Sequence, residues 1–535
     1  MVSLSFDLTS YPYASSRSVM LGARGAVATS QSLAAATGAE ILLAGGNAVD
    51  VAIAMAIDLT IVEPTSNGLG SDAFALVWDG KLHGLNASGK SPQALSPEMW
   101  SEMENLPLRG WLSTTVPGAV SAWQTLWRRW GKLPFERLFE PAIRHAEDGF
   151  PVSPVTARSW QQRAKNYLSL TGEAHQYFLE TFFPHNQAPC AGEIWRCPDQ
   201  AATLRELAAT EGESFYRGKL AEKFVAFSES TGGVFSLNDL QRHQAEWVTP
   251  ISTIYRGLTV SELPPNGQGI AALMALNIVE GFDLAAEPRE SVANYHQQIE
   301  AMKLAFADIH RYVADPRTMD VTTAELLDKT YAAQRRGLIC DRAIPLAEPG
   351  LPKGGTVYLA AADDELMVSF IQSNFMGFGS GIAIPGTGIA LQNRGAGFVM
   401  DEGHPNAISP GKRPFHTIIP GFLSHDGQAL GPFGVMGASM QPQGHLQVVS
   451  NLVDRGLNPQ AALDAPRWRF ERGNRVFLEQ TVPRHVALGL SDLGHDVQVV
   501  ADPGMFGKGQ MILRLENGVL VAGSEPRADG MAIVL

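Results

Sequence analysis

The chain has 535 residues, 45% of them hydrophobic, so it exceeds the usual single-domain length and can bury a large core. Asp and Glu number 54 against 41 Lys and Arg, which gives a formal net charge of −13. This charge repels nucleic-acid phosphates and anionic membrane surfaces, so neither is expected as a partner. The three cysteines, Cys190, Cys197 and Cys340, are too few for a disulfide scaffold or a four-cysteine zinc site and favour a reducing compartment.

The chain carries no pattern of a secretion signal or of a membrane-spanning helix. Residues 1–19 lack both a basic start and a long apolar core, which a secretion signal requires. No later segment offers about 18 uncharged apolar residues in a row. We therefore expect a soluble protein located in the cytoplasm.

The first part of the chain predicts two consecutive helices. Residues 30–64 are rich in apolar residues at helical spacing, with a break at residues 45–47. The second helix is expected to start near Asn47 and to end before Glu63, which precedes a proline. Its apolar residues surround it almost completely, so this helix is expected to be buried.

A hairpin and two further helices follow. Residues 72–89 alternate between apolar and polar on either side of Asp79-Gly80, a pair that favours a two-residue hairpin turn. Residues 120–131 and 292–316 carry apolar residues at helical spacing and end at a glycine and at an Asp-Pro pair. The chain is therefore expected to mix helices with sheet.

From residue 356 onward the pattern changes to short strands. Residues 366–373, 475–480 and 510–524 have the composition of strands, which suggests a second, β-rich portion. Residues 335–355 are rich in glycine and proline and lack periodicity, so they are predicted to form the linker.

Thr356 stands where this linker meets the first new strand. Taken alone, it indicates an ordinary loop-to-strand junction. A chemical role is possible because a free α-amino group on a threonine can take the proton of its own hydroxyl and make it a nucleophile. Such an amine exists only if the chain is cut between Gly355 and Thr356. The two glycines before Thr356 permit the backbone angles that would bring the preceding carbonyl onto the hydroxyl for an acyl shift.

Several familiar cofactor motifs are absent from the sequence. The glycine-rich stretch at residues 377–388 has Ile382 where a dinucleotide fingerprint needs its last glycine. The chain also lacks a phosphate-binding P-loop, an H-E-x-x-H zinc motif, a serine-hydrolase elbow in its expected setting, and paired C-x-x-C motifs. No cofactor and no metal are therefore expected.

Several blocks of the sequence nevertheless form a recognisable series. In chain order they include GGNAVDVAIAMAIDLTIVEPTSNGLGSDAFALVWDGK, TVPGAVSAWQTLWRRWGKLPFERLFEPAIRHAEDGFPV, ELPPNGQGIAAL, GFGSGIAIPGTGIALQN, PGKRPFHTIIP and SEPRADG. The sequence resembles the γ-glutamyltransferase-family proenzymes over nearly its whole length. The resemblance implies an N-terminal-nucleophile hydrolase with an α+β fold, in which two packed sheets lie between helix layers as a four-layer αββα sandwich.

The resemblance also implies how the chain is divided. Residues 1–355 would form a large subunit and residues 356–535 a small subunit, with Thr356 as the first residue of the small one. The mature protein would then be a heterodimer of the two self-cleaved chains, and whether two such heterodimers pair is left open.

The same resemblance assigns roles around the nucleophile. It implies that Asn374 and the glycine-rich loop after it lie beside Thr356. It also implies that the backbone N–H groups of Gly437 and Ala438, within GVMGASMQPQG, stabilise the oxyanion that forms when a carbonyl is attacked. The ordinary alternative for this small pair is a tight turn.

The sequence departs from the family where typical members hold a γ-glutamyl head. The arginine that grips the α-carboxylate is replaced by a serine, the glutamine and aspartate that hold the α-amino group by an arginine and a glycine, and a paired serine motif by His-Thr. A threonine two residues before the matched asparagine becomes glutamine. These positions are Ser88, Arg394, Gly397, His416, Thr417 and Gln372.

These changes favour an acidic substrate without an ammonium group. An ordinary solvated arginine would explain Arg394 alone, and a core histidine would explain His416 alone. An arginine that enters a pocket as the pocket loses its carboxylate instead fits a negative charge. Lys90 could add a second positive charge. The pattern resembles the branch with glutaryl-cephalosporin acylases and oxamate amidohydrolase, and the choice among these substrates stays open.

Two alternatives remain beside this amidohydrolase. One is an ordinary glutathione hydrolase or γ-glutamyl transferase, and the other is a non-catalytic binding or scaffold protein that kept the fold. The retention of Thr356, Asn374 and the small pair at residues 437–438 argues against the scaffold, because a binding module has no need of a nucleophile's surroundings.

Overall fold

The computed structural model describes residue 7, residues 12–13, residues 17–345 and residues 355–535. In chain order the strands are β1 Met20–Gly22, β2 Gly25–Thr29, β3 Asp72–Trp78, β4 Leu82–Asn86, β5 Phe150–Pro151, β6 Ile194–Trp195, β7 Glu246–Val248, β8 Ile251–Tyr255, β9 Leu258–Glu262, β10 Gly355–Asp363, β11 Met367–Phe375, β12 Ala383–Ile384, β13 Ile389–Ala390, β14 Gly421–His425, β15 Gln428–Met436, β16 Trp468–Arg472, β17 Arg475–Glu479, β18 Asp496–Val500, β19 Lys508–Arg514, β20 Leu520–Ser524 and β21 Met531–Val534.

The helices are α1 Ser32–Leu43, α2 Ala48–Val62, α3 Ala119–Trp130, α4 Glu140–Asp148, α5 Pro154–Tyr167, α6 Glu173–Phe182, α7 Pro198–Ala209, α8 Glu213–Arg217, α9 Lys219–Ser230, α10 Leu237–Gln241, α11 Gly269–Val279, α12 Val292–Tyr312, α13 Thr323–Leu326, α14 Lys329–Arg336, α15 Met440–Val453, α16 Pro459–Asp464 and α17 Arg484–Asp492. None of these helices is both long enough and apolar enough to span a bilayer.

The centre of the fold is a pair of seven-stranded sheets. The first sheet has the order β1-β20-β19-β15-β14-β9-β8, and the second has the order β21-β2-β10-β11-β3-β4-β7. Neighbouring strands in both sheets run antiparallel. Smaller two- and three-stranded sheets flank them.

Three hydrophobic cores fix the layers. One lies between the two sheets and contains Phe74, Tyr358 and Ile371 from the second sheet with Phe422 and Ile512 from the first. A second core packs the outer face of the second sheet against α1 to α9, and a third packs the outer face of the first sheet against α11, α12 and α15. The molecule is therefore a helix–sheet–sheet–helix sandwich, as predicted.

Helix α2 shows why the early elements form where they do. The side chain of Asn47 accepts hydrogen bonds from the N–H groups of Val49 and Asp50, and Asp50 bonds back to the N–H of Asn47, which completes a capping box. Every residue of the helix is buried. The predicted start, end and burial of this helix are confirmed, and the hairpin at Asp79-Gly80 joins β3 to β4 as expected.

The prediction of a separate β-rich portion after residue 356 was wrong in its organisation. The predicted strands form, but β10 and β11 lie in the middle of the second sheet, between β2 and β3 from the first part of the chain. In the first sheet, β14 lies beside β9. The two sides of residue 355 are thus interleaved throughout both sheets.

The predicted linker differs at its start. Helix α14 continues to Arg336, two residues into the segment expected to lack periodicity, and Gly355 already belongs to β10. Residues 346–354, which include most of the glycine- and proline-rich stretch, lie outside the described residues.

Candidate active site

Thr356 lies near the start of β10, on the face of the second sheet that points toward the first. The register between β10 and β11 shifts at this point, from Gly355 opposite Phe375 to Val357 opposite Gln372. Thr356 therefore faces two residues of β11, as at a β-bulge. Its side chain is buried, and its Oγ1 donates a hydrogen bond of 3.1 Å to the Oγ of Ser373.

Gly437 and Ala438 form the turn between β15 of the opposite sheet and α15. Their φ angles are 136° and 52°, so both lie in the region that L side chains rarely adopt. Among the described residues, neither backbone N–H donates a hydrogen bond. Gln268 holds the turn from behind, because its Nε2 donates to the carbonyl oxygens of Ala438 at 2.8 Å and Thr417 at 2.6 Å. Two free N–H groups on a strained, supported turn are what an oxyanion hole needs.

Asn374 lies directly beside Thr356 on β11. Its Oδ1 accepts a hydrogen bond of 2.8 Å from Ser71, which fixes the orientation of the amide. Its Nδ2 is buried and has no hydrogen-bond partner among the described residues. A fixed, unsatisfied donor next to the nucleophile is available to a substrate oxygen.

A cavity of about 410 Å³ opens beside these groups. Thr356 and Gly437 both line it, so the predicted nucleophile and one predicted oxyanion donor face the same space. The remaining wall comes largely from α5 and from the segment between β18 and β19. This volume falls within the range of small-molecule sites, about 300 to 1,000 Å³.

Arg394 and Thr417 are brought together, as the sequence analysis placed them in one pocket. The Nη1 of Arg394 donates a hydrogen bond of 2.6 Å to the Oγ1 of Thr417, and its guanidinium lies 4.6 Å from the centroid of the Phe375 ring. Its Nε and Nη2 are buried and have no partner among the described residues. Burial lowers the pKa of Arg394 to about 9, although the nearby Asp72 partly offsets the shift.

Asp72 is a buried carboxyl group that the sequence analysis missed. It lies directly opposite Ser373 in the pairing of β3 with β11, and its Oδ2 is 3.1 Å from the Nε2 of His416. Burial raises the pKa of Asp72 to about 7, against the charge of Arg394. Burial together with Arg394 and Arg413 lowers the pKa of His416, so this histidine is neutral. The pattern of strand alternation places Asp72 and Ser373 on one face, and that pattern was the available signal.

Gln372 and Lys90 are not brought to Thr356. The Nε2 of Gln372 donates to Asn67 at 2.8 Å, and its Oε1 accepts from Trp123 at 3.1 Å, so its amide faces the helix layer. Strand alternation explains this, because Gln372 and Ser373 point to opposite faces of β11. Lys90 lines a different cavity of about 300 Å³ and lies 3.9 Å from Glu246.

The two remaining substituted positions have structural contacts. Ser88 is buried and donates from its Oγ to Asn86 at 2.7 Å. Gly397 ends a short 3₁₀ turn that begins at Arg394 and accepts a hydrogen bond from Asn406 at its carbonyl oxygen. Neither supplies a charge for a γ-glutamyl head.

One group of side chains away from this site has the composition of a metal site. His296, Glu300 and His495 are buried together, with the Nδ1 of His296 2.8 Å from the Nε2 of His495. The ammonium of Lys303 already bonds to Glu300 at 2.9 Å, so a cation occupies the carboxylate. The His296 Nε2 is 2.7 Å from the carbonyl oxygen of Cys340, so this nitrogen donates and the other accepts from His495. The hydrogen bonds of this group are thus accounted for without a metal ligand set.

Comparison with known proteins identifies the family. A model of the γ-glutamyltranspeptidase family matches residues 34–535, which is nearly the whole chain. The chain belongs to the γ-glutamyltranspeptidase family. Its members act on amide bonds as hydrolases or transferases, and so does this protein.

Individual relatives of this γ-glutamyltranspeptidase-family protein cover it end to end. It is 35% identical to the glutathione hydrolase-like YwrD proenzyme of Bacillus subtilis, over 96% of this chain and 99% of the relative. It is 34% identical to the oxamate amidohydrolase proenzyme of Klebsiella pneumoniae, over 94% and 96% of the two chains. The crystal structure of a cephalosporin acylase from Bacillus halodurans matches with a TM-score of 0.94 and 52% identity, over 99% of each chain.

These comparisons confirm the predicted family, the four-layer fold and the enzyme class. The role of Thr356 as nucleophile, the division at residue 355 and the roles of the individual site residues stay predictions. The geometry brings Thr356, Asn374 and Gly437 to one place.

Proposed function

We propose that the protein is a self-processing amidohydrolase with an N-terminal threonine nucleophile. The chain would cut itself between Gly355 and Thr356, and residues 1–355 and 356–535 would remain together as a heterodimer. The word proenzyme in the names of the relatives supports this, because it describes a precursor that is processed. The bulge at Thr356 supports it too, because it departs from regular strand geometry at the bond to be cut.

In the mature enzyme, Thr356 would attack the carbonyl carbon of the amide. Its free α-amine would take the hydroxyl proton and later pass it to the departing amine. The N–H groups of Gly437 and Ala438 would stabilise the oxyanion of the tetrahedral intermediate. Water would then attack the resulting acyl-threonine ester and release the acid. Ser373 would orient the hydroxyl through the hydrogen bond that it already accepts.

The acyl group would come from a small acid that carries a carboxylate and no α-ammonium. The observation that carries this proposal is the buried guanidinium of Arg394, whose Nε and Nη2 have no partner among the described residues. Buried donors without partners are costly, and a bound carboxylate would satisfy both. Asp72 does not bond to this guanidinium, and its raised pKa leaves it partly neutral near pH 7.

Among acidic amides, oxamate and glutaryl amides fit this description. An oxamate amidohydrolase and acylases are among the relatives, which supports the class without deciding between its members. Glutathione hydrolysis is the alternative, since relatives with that name also cover the chain, at 28% and 30% identity. The same substrate panel tests both.

The test compares kcat/KM for oxamate, a glutaryl anilide and a γ-glutamyl anilide on one cleaved preparation. We expect the acidic amides to be preferred, and Arg394→Ala to lower their kcat/KM by about ten- to a hundredfold through the loss of a charged hydrogen-bond pair. Arg394→Lys should restore part of it. Arg484→Ala, which removes an exposed arginine from α17, is the control and should have no effect. A preference for the γ-glutamyl anilide that survives in Arg394→Ala would contradict the proposal.

A further inference from the structure

The cavity beside Thr356 carries more positive charge than the acid pocket around Arg394 explains. Three cations line it, Arg163 from α5, Arg469 from β16 and Lys508 from the start of β19. Among the described residues, none of the three forms an ion pair. Arg158 also lines the cavity, but it pairs with Asp502 at 3.0 Å.

The neighbouring acids do not neutralise this wall. Glu63 lies close enough to Lys508 to be affected by its charge, but it accepts its hydrogen bond from Ser30, and burial raises its pKa. Glu471 acts on Arg469 only at longer range. An excess of positive charge therefore remains in a space that the catalytic threonine shares.

The arginines of this wall are costly without a ligand. Arg469 is 3% exposed, and its Nε has no hydrogen-bond partner among the described residues. Burial lowers the pKa of both Arg469 and Arg163. Arg163 uses its Nε to bond to the carbonyl oxygen of Thr65. An anion in the cavity would compensate the desolvation of these groups.

The position of the wall indicates which half of a substrate it meets. Lys508 lies directly opposite Met436 in the pairing of β19 with β15, one residue before Gly437. The Arg394 group instead meets Thr356 through β11, since Asp72 faces Ser373, and neither Arg394 nor Asp72 is among the described residues that line the cavity. The two positive regions therefore approach the reacting carbonyl from different directions.

We propose that the wall formed by Arg163, Arg469 and Lys508 binds an anionic group on the amine half of the amide. This inference rests on the proposed function, in which Arg394 holds the acid half. The substrate would then carry a negative charge on each side of the scissile bond.

The size of the cavity favours an organic amine over ammonia as the leaving group. A water molecule occupies about 30 Å³ of liquid, and ammonia is of similar size. A cavity of about 410 Å³ would remain mostly water-filled around ammonia. An aromatic or bicyclic amine that carries a carboxylate would fill it and reach the cations.

Binding of the amine half alone tests this without any hydrolysis. Calorimetric titration should show 3-aminobenzoate binding to the full protein at least about tenfold more tightly than aniline, with a difference that shrinks as salt is added. The double variant Arg469→Gln/Lys508→Gln should abolish the difference. Lys165→Gln removes an exposed charge from the same helix as Arg163 and should retain it. Equal binding of the two amines to the unmodified protein would overturn the inference.

Hydrolysis of four matched amides then tests the side of the scissile bond. Glutaryl and pentanoyl groups are each joined to aniline and to 3-aminobenzoate. The double variant should reduce the preference for 3-aminobenzoate and leave the glutaryl-to-pentanoyl ratio in place. A loss of the glutaryl preference instead would overturn the assignment to the amine half. A failure of the proposed function has a different signature, since then no acidic amide is cleaved while the amine-binding result still decides the inference.

Discussion

Ala438 is the residue at which the backbone of the site departs most from ordinary geometry for its type. Its φ of 52° is unusual for a residue with a Cβ, and such conformations cost about 1 to 2 kcal/mol. Gly437, at a φ of 136°, tolerates its own conformation because it has no Cβ. The turn therefore trades stability for the direction of two N–H groups, which agrees with an oxyanion hole.

We expect Gly437→Ala to impair catalysis more than folding. The added Cβ would lie 3.2 Å from the Cα of Gly507 and 3.3 Å from the Cβ of Met440, so the turn must move. Displacing one oxyanion donor costs about 10²- to 10³-fold in kcat. Gly518→Ala is the matched control, because it also has a positive φ but meets no atom within 4 Å. Similar kcat values for the two variants would count against the oxyanion role.

The pH dependence of substrate binding should report on Asp72. Its folded pKa of about 7 means that the carboxyl is mostly neutral at pH 6 and mostly charged at pH 8. When charged, it competes with the substrate carboxylate for Arg394, so KM for an acidic amide should rise by up to about tenfold between these pH values. Asp72→Asn should flatten this rise, and Asp426→Asn, at an exposed carboxyl, should not. An unchanged KM profile in Asp72→Asn would remove Asp72 from the binding account.

At the scale of single residues, the sequence predicted positions better than orientations. Thr356, Gly437 and Ala438 follow from backbone features, namely a junction and a turn of small residues, and the structure brings Thr356 and Gly437 to one cavity. Gln372 was matched by its distance from Asn374 along the strand, although its side chain faces the helix layer. The face to which a side chain points depends on register and bulges, which a linear match ignores.

Helix α2 is the element whose local signals are strongest, and its cap offers a test at this scale. Asn47→Ala removes the acceptor for two backbone N–H groups and should cost about 1 kcal/mol at the start of the helix. We expect the amides of Val49 and Asp50 to exchange hydrogen about fivefold faster as a result. Asn47→Ser, which retains a capping oxygen, is the control. Equal exchange in the two variants would show that tertiary packing alone holds this end.

Elements with local signals were predicted well, and their arrangement was not. The start of α2 at Ala48, the end of α3 before Gly131 and the β3–β4 hairpin depend on caps, glycines and turns within a few residues. The helix predicted to reach Asp315 ends at Tyr312. The central place of β10 and β11 depends on pairing with strands more than 270 residues earlier, and no local pattern encodes it.

At the scale of the whole molecule, the interleaved sheets decide what cleavage can do. Because β10 pairs with β2 and β11 pairs with β3, a cut before Thr356 would leave both fragments sharing one sheet and one inter-sheet core. Neither fragment could separate without exposing that core. A processed protein should therefore keep its fold and gain only a free amine at Thr356.

Intact mass spectrometry of the purified protein tests the central claim most directly. We expect two chains, residues 1–355 and 356–535, from the unmodified protein, and one uncut chain from Thr356→Ala, because alanine has no hydroxyl for the acyl shift. Thr356→Ser, which keeps a hydroxyl, should still be cut. A cut at another bond, or a cut before residue 356 in Thr356→Ala, would contradict the assignment of Thr356 as the residue that processes the chain and attacks the substrate.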